Sequence, residues 1–286
     1  MEGGDQIMDK VIDKAKILIE ALPYINAFKG KIFVIKYGGS AMTDERLKSQ
    51  VLRDVSLLKS VGIRPVIVHG GGKEITALLK EVGKPSHFVD GIRATTAEEI
   101  EYVEMMLSGK INKSVVATLM QNECEAVGIS GRDGGLLKTV PFDASQPAFE
   151  RVGLVTEVNA KVIETLLEAQ FVPVISPIGA DAEGNAFNVN ADEAAAAVAG
   201  ALKAEKLIML TDVDGVLNGK ALISEITMKQ AETLIAEGVI TGGMIPKIEC
   251  CIKSDVENVH ILNGTLDHAI LLEIFTQRGV GTKIFK

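Results

Sequence analysis

Apolar residues near the start of the chain recur at steps of three and four. Val11, Ile12, Ala15, Leu18, Ile19 and Leu22 form one stripe, which predicts an amphipathic helix over residues 5–22 that Pro23 helps to end. Such a stripe lies on its own domain or docks on another subunit, and the pattern alone leaves both open. From Lys31 the pattern changes: the β-branched runs KIFVIK, RPVIVH, FVPVIS, KLIMLT and NVHIL are followed by helical patterns at 44–61, 73–82, 191–202, 228–237 and 267–275. That alternation predicts an α/β fold, a mainly parallel sheet covered by helices. Near the middle, EAVGIS, LLKTV and RVGLVTEV have closer turn signals and are expected to add antiparallel pieces. Open sheets of this type bind ligands outside the carboxyl ends of their strands, so the loops after the runs are where chemistry is expected. A loose division near residue 180 separates a half carrying Lys36 and HGGG from a half carrying TDVDGV.

Composition narrows the setting. With 286 residues, 47% of them hydrophobic and 24% charged, the chain can build a large core or two lobes around a cleft without disulfide staples. A net charge of −8 repels phosphate polymers and anionic lipid, so neither nucleic acid nor a membrane surface is an expected partner. No run of 18 apolar residues predicts a membrane span, and the mixed charges of residues 1–25 are unlike a secretion signal. Cys124, Cys250 and Cys251 are odd in number and lack metal-ligand spacing, which fits a reducing, cytoplasmic compartment and predicts no resident metal.

Two strand ends carry glycine turns that lead into helices: Lys36-Tyr37-Gly38-Gly39-Ser40 and His69-Gly70-Gly71-Gly72. Glycines let backbone N–H groups approach a ligand, and a helix N-terminus adds partial positive charge, so each turn is a candidate anion cradle. Ile67 and Glu74 break a Walker A pattern, and Ile75 breaks a dinucleotide fingerprint. Asn188 and Asn190 are two apart and face the same way in an extended segment, with Asp192 following on the first turn of an alanine-rich helix. Gly242-Gly243 opens a helix whose first turn carries Lys247, an unfavourable cation at a positive helix end and therefore a sign of function. The segment LIMLTDVDGVL also fits the opening of a haloacid-dehalogenase-type phosphatase, with Asp212 as nucleophile and Asp214 as acid. Its late position and the lack of a Gly-Asp pair after it favour an acidic loop beside nucleotide phosphates and Mg²⁺.

With K-x-G-G-S, VIVHGGG, D-G-x-R, NVNAD, TDVDGV and TGGM-x-x-K in that order, the chain from Lys31 onward resembles the amino acid kinase family. Within that family it is most similar to the branch that phosphorylates N-acetyl-L-glutamate on the route to arginine. The resemblance implies an open three-layer αβα sandwich. Residues 1–23 would form an N-terminal helix for oligomerisation and regulation, 24–180 an N-lobe for the acyl amino acid and dimerisation, and 181–286 a C-lobe for ATP. It implies Lys36 and Lys247 as the lysines that grip the phosphoryl group, Asp192 as the residue that orients them, and Gly71, Gly72, Arg93 and Asn188 as the acceptor site. Gly39 would lie near the phosphates, with Thr211, Asp212, Val213, Asp214, Gly215, Val216, Val239, Ile240 and Thr241 around ATP, which carries its own Mg²⁺. Members with an N-terminal helix assemble dimers into a hexamer inhibited by arginine, and the resemblance places arginine at Tyr24, Lys206, His260, Glu273 and Gly279. A carboxylate acceptor is ionised at neutral pH and needs no general base, so His69 is expected to shape its loop rather than to catalyse.

Overall fold

The computed structural model describes residues 2–89 and 91–286. Asp90 of the D-G-x-R segment lies outside the described residues, as does the side chain of Val11. Helix α1 (Glu2–Phe28) leads to β1 (Ile32–Tyr37), α2 (Ser40–Thr43), α3 (Glu45–Ser60), β2 (Arg64–His69) and α4 (Gly72–Glu81). The short strands β3 (Phe88–Val89) and β4 (Ile92–Arg93) precede α5 (Glu99–Glu104), a π-helical segment Met105–Ile111 and α6 (Asn112–Gln121). Then come β5 (Ala126–Ser130), β6 (Leu137–Pro141), β7 (Val152–Val158), α7 (Ala160–Glu168), β8 (Val172–Ser176), β9 (Ile178–Ala180) and β10 (Ala186–Val189). The chain continues through α8 (Ala191–Ala201), β11 (Lys206–Thr211), β12 (Leu217–Asn218), β13 (Ala221–Leu222), β14 (Glu225–Thr227) and α9 (Met228–Ala236). It closes with α10 (Met244–Lys253), β15 (Asn258–Asn263), α11 (Ala269–Phe275) and β16 (Thr282–Phe285).

Eight strands form the central sheet in the order β14-β16-β15-β11-β1-β2-β8-β5, parallel except for the β15–β16 pair. Alternation along β1 sorts its side chains into two helix layers. Phe33, Ile35 and Tyr37 enter the core beneath α3, α4 and α6, while Val34 enters the core beneath α7, α8 and α10. Lys36 shares the face of Val34 and so is carried toward α8. His69 shares the face of Ile67 and is carried toward α6. These two placements decide the geometry of the site.

The five β-branched runs form β1, β2, β8, β11 and β15, all parallel to their sheet neighbours apart from the β15–β16 contact. LLKTV and RVGLVTEV form the antiparallel pair β6–β7, in a small closed barrel with β9 and β10. EAVGIS departs from its expected role: it is β5, parallel to β8 at the edge of the main sheet, because it follows the helical crossover of α5 and α6. Pro23 also departs. The first helix runs through it to Phe28, and because Pro23 is exposed, the carbonyl that loses its N–H partner lies on the solvent side. Ile12, Leu18, Ile19 and Leu22 are exposed, at 44%, 72%, 69% and 51%, so within this chain the stripe does not lie on its own domain. The last turn of α1 does pack, through an edge-to-face contact of Phe28 with Phe33 at 5.3 Å.

Away from the cleft, Asp54 of α3 is 1% exposed and accepts a 2.6 Å hydrogen bond from His268 Nδ1 just before α11. Burial pushes its carboxyl up to about 6, with His268 opposing. Between the ordinary carboxylate value and about 6 the folded chain therefore holds a proton that the unfolded chain has lost, and stability falls as pH rises through that window. Asp54→Asn is expected to be more stable than the wild type at pH 8 by roughly 1–3 kcal/mol, with the gap closing near pH 4. Urea midpoints at the two pH values check this, and equal gaps at both would remove the buried charge as the cause.

Candidate active site

The direction of chain progression reverses around β1: successive strands add on one side through β2, β8 and β5, and on the other through β11 and β15. At that switch point the carboxyl ends of β1 and β2 lie side by side, with Lys36 opposite Val68 and Tyr37 opposite His69, and both lead into glycine turns. A cleft of about 800 Å³ opens there, lined by Lys36, both glycine turns, Arg93, Asn188, Asn190 and Asp192 among others.

Asp192 is the hub. Asn190 caps α8 by accepting the Asp192 N–H at 2.8 Å, which leaves the Asp192 carboxylate free to point into the cleft. One of its oxygens lies 3.0 Å from Lys36 Nζ and the other 2.6 Å from Lys247 Nζ. Burial alone would raise this carboxyl, but the two ammonium groups outweigh burial and hold it below the ordinary carboxylate range. The lysines thus approach one anion from opposite sides. Gly38 makes room for Lys36, since a Cβ there would stand 2.7 Å from its Nζ.

Facing them is the start of α4. Gly71 is its N-cap, no side chain caps it, and Gly71 and Gly72 line the cleft. Helix α10 begins at Gly243, also without a side-chain cap, one turn from Lys247. Lys36, the uncapped start of α4 and the Asp192 carboxylate that holds both lysines therefore line one cleft, which offers an anion free backbone N–H groups and positive charge. Arg93 stands at the other end of the α4 turn. Its Nη2 donates to the Gly72 carbonyl at 2.7 Å and to Thr76 Oγ1 at 2.8 Å, and its Nη1 donates to Ser86 Oγ, with the guanidinium 4.7 Å from the Phe88 ring centre. Among the described residues it forms no ion pair with a carboxylate, so its charge is available to a ligand. Arg93→Lys is expected to raise the KM for the acceptor about tenfold or more with little change in kcat, because an ammonium cannot reproduce the planar fork. An unchanged KM would reduce Arg93 to a brace for the α4 turn.

The acidic loop after β11 lies against the first glycine turn. Asp212 Oδ1 accepts the Ser40 N–H at 2.7 Å, and Gly39 between them has φ 70°, a conformation open to glycine, with no room for a Cβ beside Asp212. Asp214 accepts from Asn263 Nδ2 at 2.7 Å, and the Val216 N–H donates to Thr282 Oγ1 at 2.8 Å. Thr211 ends β11, Val213 is exposed, Gly215 is buried, and Val239, Ile240 and Thr241 lie between α9 and α10, with Ile240 buried. Pattern reading missed Thr95, which accepts from Asn188 Nδ2 at 3.1 Å, as well as Asn263, Thr76 and Lys73, whose Nζ reaches Ser40 Oγ at 3.1 Å. The polar residues of a turn that follows a strand were the available signal for Asn263.

A second cluster lies on the far side of the sheet's centre. Lys206 Nζ is 3.0 Å from His260 Nε2, His260 Nδ1 is 2.7 Å from Glu273, and Glu273 also accepts the N–H groups of Val280 and Gly281. Burial lowers both His260 and Lys206, Lys206 to about 8. The imidazole is therefore neutral, accepting from the lysine and donating to the carboxylate. Gly279, at φ 61°, turns against Glu273. Tyr24 is half-buried on α1, one turn before Phe28, and it is the Phe28 ring, not Tyr24, that is found 5.0 Å from Lys206 Nζ.

A parallel αβα sandwich with two lysines and uncapped glycine turns at its switch point defines a phosphoryl-transfer enzyme of the kinase type. The family model for the amino acid kinase family matches residues 31–263, and the chain belongs to that family. Membership removes the phosphatase reading of Asp212. The chain is 51% identical to acetylglutamate kinase of Caldanaerobacter subterraneus subsp. tengcongensis over 99% of this chain and 95% of that one. It is 47% identical to acetylglutamate kinase of Halothermothrix orenii over 98% and 99%. Among solved structures it is similar to N-acetylglutamate synthase from Neisseria gonorrhoeae complexed with coenzyme A and N-acetyl-glutamate, with a TM-score of 0.84 and 26% identity, covering 95% of this chain and 63% of the synthase. No helix among the described residues is long and apolar enough to cross a membrane.

Proposed function

We propose that this protein transfers the terminal phosphoryl group of Mg-ATP to the γ-carboxylate of N-acetyl-L-glutamate. One observation carries the reading beyond the family: Lys36 and Lys247 share the Asp192 carboxylate, and the uncapped Gly71 and Gly72 amides and the carboxylate-free Arg93 line the same cleft as Lys36 and Asp192. The acceptor's γ-carboxylate rests on those amides, its α-carboxylate on Arg93 and its acetamido end on Asn188. The nucleophile is already ionised, so the enzyme supplies closeness and positive charge rather than a base. Gly39 and the loop Thr211–Val216, with Val239–Thr241, hold ATP, whose phosphates bring Mg²⁺. In this reading residues 24–180 form the lobe for the acceptor and a dimer contact and 181–286 the lobe for the nucleotide, with Asn188 reaching the acceptor from the second and Gly39 the phosphates from the first.

Arginine inhibits the enzyme at the Lys206–His260–Glu273 cluster beside Gly279 and Tyr24, and the exposed stripe of α1 joins dimers into a hexamer. Support comes from the charge pattern of the cluster, the Glu273 carboxylate with Lys206 beyond His260, which matches the two charged ends of arginine, and from the exposed apolar residues Ile12, Leu18, Ile19 and Leu22 on α1. ADP formation is to be followed with N-acetyl-L-glutamate, L-glutamate, L-aspartate, carbamate and uridine monophosphate, each with and without arginine, alongside a native mass measurement. Turnover confined to N-acetyl-L-glutamate, suppressed by arginine, in a six-copy assembly is the expected result. Turnover on another acceptor overturns the substrate, insensitivity to arginine the regulation, and a dimer the ring.

A further inference from the structure

The second glycine turn has a mechanical difficulty that its sequence does not solve. Gly70 and Gly71 are consecutive, so the peptide between them is free to flip, and a flip would turn the Gly71 N–H away from the acceptor. In a trans peptide the C=O and the following N–H point in opposite directions, so whatever holds the Gly70 carbonyl also aims the Gly71 N–H.

His69 holds it. Its Nδ1 lies 2.8 Å from the Gly70 carbonyl, an acceptor, so Nδ1 carries the proton. The other ring nitrogen faces Asn112 Nδ2 at 3.2 Å. Asn112 cannot turn its oxygen there: that oxygen accepts from Lys113 Nζ at 3.0 Å, and Nδ2 also donates to the Val174 carbonyl of β8 at 2.9 Å. The imidazole is fully buried, and burial lowers it to about 4, with the Gly70 bond opposing. Lys113 is the charged group beside it, itself tied to the Gly128 carbonyl at 2.8 Å, while β5 and β8 present backbone carbonyls.

The π-helical segment before Asn112 serves the same turn. Leu107 and Ile111 pack where a Cβ on Gly71 would stand, and Ser108 bonds Ser176 at 2.8 Å at the end of β8. Gly128 of β5 leaves the space that the Asn112 amide fills. The Gly70 N–H donates to the Tyr37 carbonyl at 2.7 Å, which ties the turn to β1 on its other side.

We infer that Asn112 and His69 are positioning residues for the acceptor: Asn112 fixes the His69 ring as its Nδ1–H tautomer, and that N–H locks the Gly70–Gly71 peptide with the Gly71 N–H aimed into the cleft. The inference rests on the functional reading above for the identity of the acceptor, but the tautomer is independent of it. Asn112→Asp is the informative variant. Its new carboxylate draws a proton onto Nε2, so at low pH the ring carries both protons and the brace holds. At high pH the ring keeps only the Nε2 proton, and a bare Nδ1 faces the Gly70 carbonyl.

The experiment combines ring ¹⁵N NMR of His69 in the ligand-free wild type with acceptor and ATP KM values for Asn112→Asp and Asn112→Leu between pH 6 and 9. The wild type is expected to show a protonated Nδ1 and a bare Nε2. Asn112→Asp is expected to lose acceptor affinity about tenfold as pH rises, and Asn112→Leu about tenfold at every pH, with ATP KM within about twofold in both. An Nε2–H tautomer in the wild type, an acceptor KM for Asn112→Asp that follows the wild type across the pH range, or equal losses for ATP and acceptor would each overturn the inference. A wild type that binds ATP yet neither binds nor phosphorylates N-acetyl-L-glutamate would sink the functional reading, with the His69 tautomer still deciding this one.

Discussion

Lys247→Ala is expected to lower kcat at least about 100-fold, with a much smaller change in the KM for ATP, and Lys36→Ala to do the same. The two ammonium groups sit on different oxygens of Asp192, one brought by the end of a central strand and the other by the first turn of α10. In the proposed reaction a phosphoryl group moving between ATP and the acceptor would pass between them, where negative charge would build on the transferring and bridging oxygens. Removing one preorganised donor from such a position costs on the order of 3–4 kcal/mol in the transition state. In the proposed reading ATP is held mainly by the loops after β11 and between α9 and α10, so ground-state affinity for the nucleotide is expected to change less. Steady-state kinetics with each substrate varied in turn check the split, and a variant keeping more than about a tenth of wild-type kcat removes that lysine from the role.

Asp192→Asn is the sharper test, because it leaves shape intact and takes away the charge that gathers the lysines. Two ammonium groups then face each other across a largely buried gap with no anion between them, a broken ion pair of the kind that costs roughly 3 kcal/mol of folding stability. Since the native carboxyl is held below its ordinary value, its stabilising contribution is present above the unfolded carboxylate range and is lost as pH falls through the folded value. The stability deficit of Asp192→Asn should therefore be full at pH 7 and shrink only below about pH 4. The expected loss in kcat is also about 100-fold or more, because the lysines lose their shared reference point. Normal stability with lost activity would leave Asp192 an orienting residue without a structural burden. The reverse would make it a strut alone.

Much of this was legible from the chain. A lysine at the end of a buried strand, glycine turns that fail the common nucleotide patterns, and a lysine in the wrong turn of a helix are local conflicts, and local conflicts point to sites. The parallel strands were visible because a strand buried on both faces reads as an unbroken apolar run. What stayed hidden depends on tertiary placement. EAVGIS looks the same whether it pairs parallel or antiparallel, since the choice is made by the crossover before it. Pro23 reads as a stop, but an exposed helix can carry a proline at the cost of one hydrogen bond. The π-helical segment has no periodic signature, as its extra residue per turn is imposed by what Leu107, Ile111 and Asn112 must reach. Thr95 lies far from Asn188 in sequence and meets it only once the small barrel has closed.

Lys36, Asp192 and Lys247 are supplied by the first strand of the sheet, by a helix after the barrel and by a helix near the end of the chain, and no two of them are neighbours in sequence. Bringing them together requires long-range pairing, which is slow because loop closure is paid before the contacts that reward it. During synthesis Lys247 is the last of the three to emerge, so the cluster around Asp192 cannot close until the chain through α10 has been made. Return of turnover on refolding is accordingly a clock for the last step of assembly, later than any signal from secondary structure.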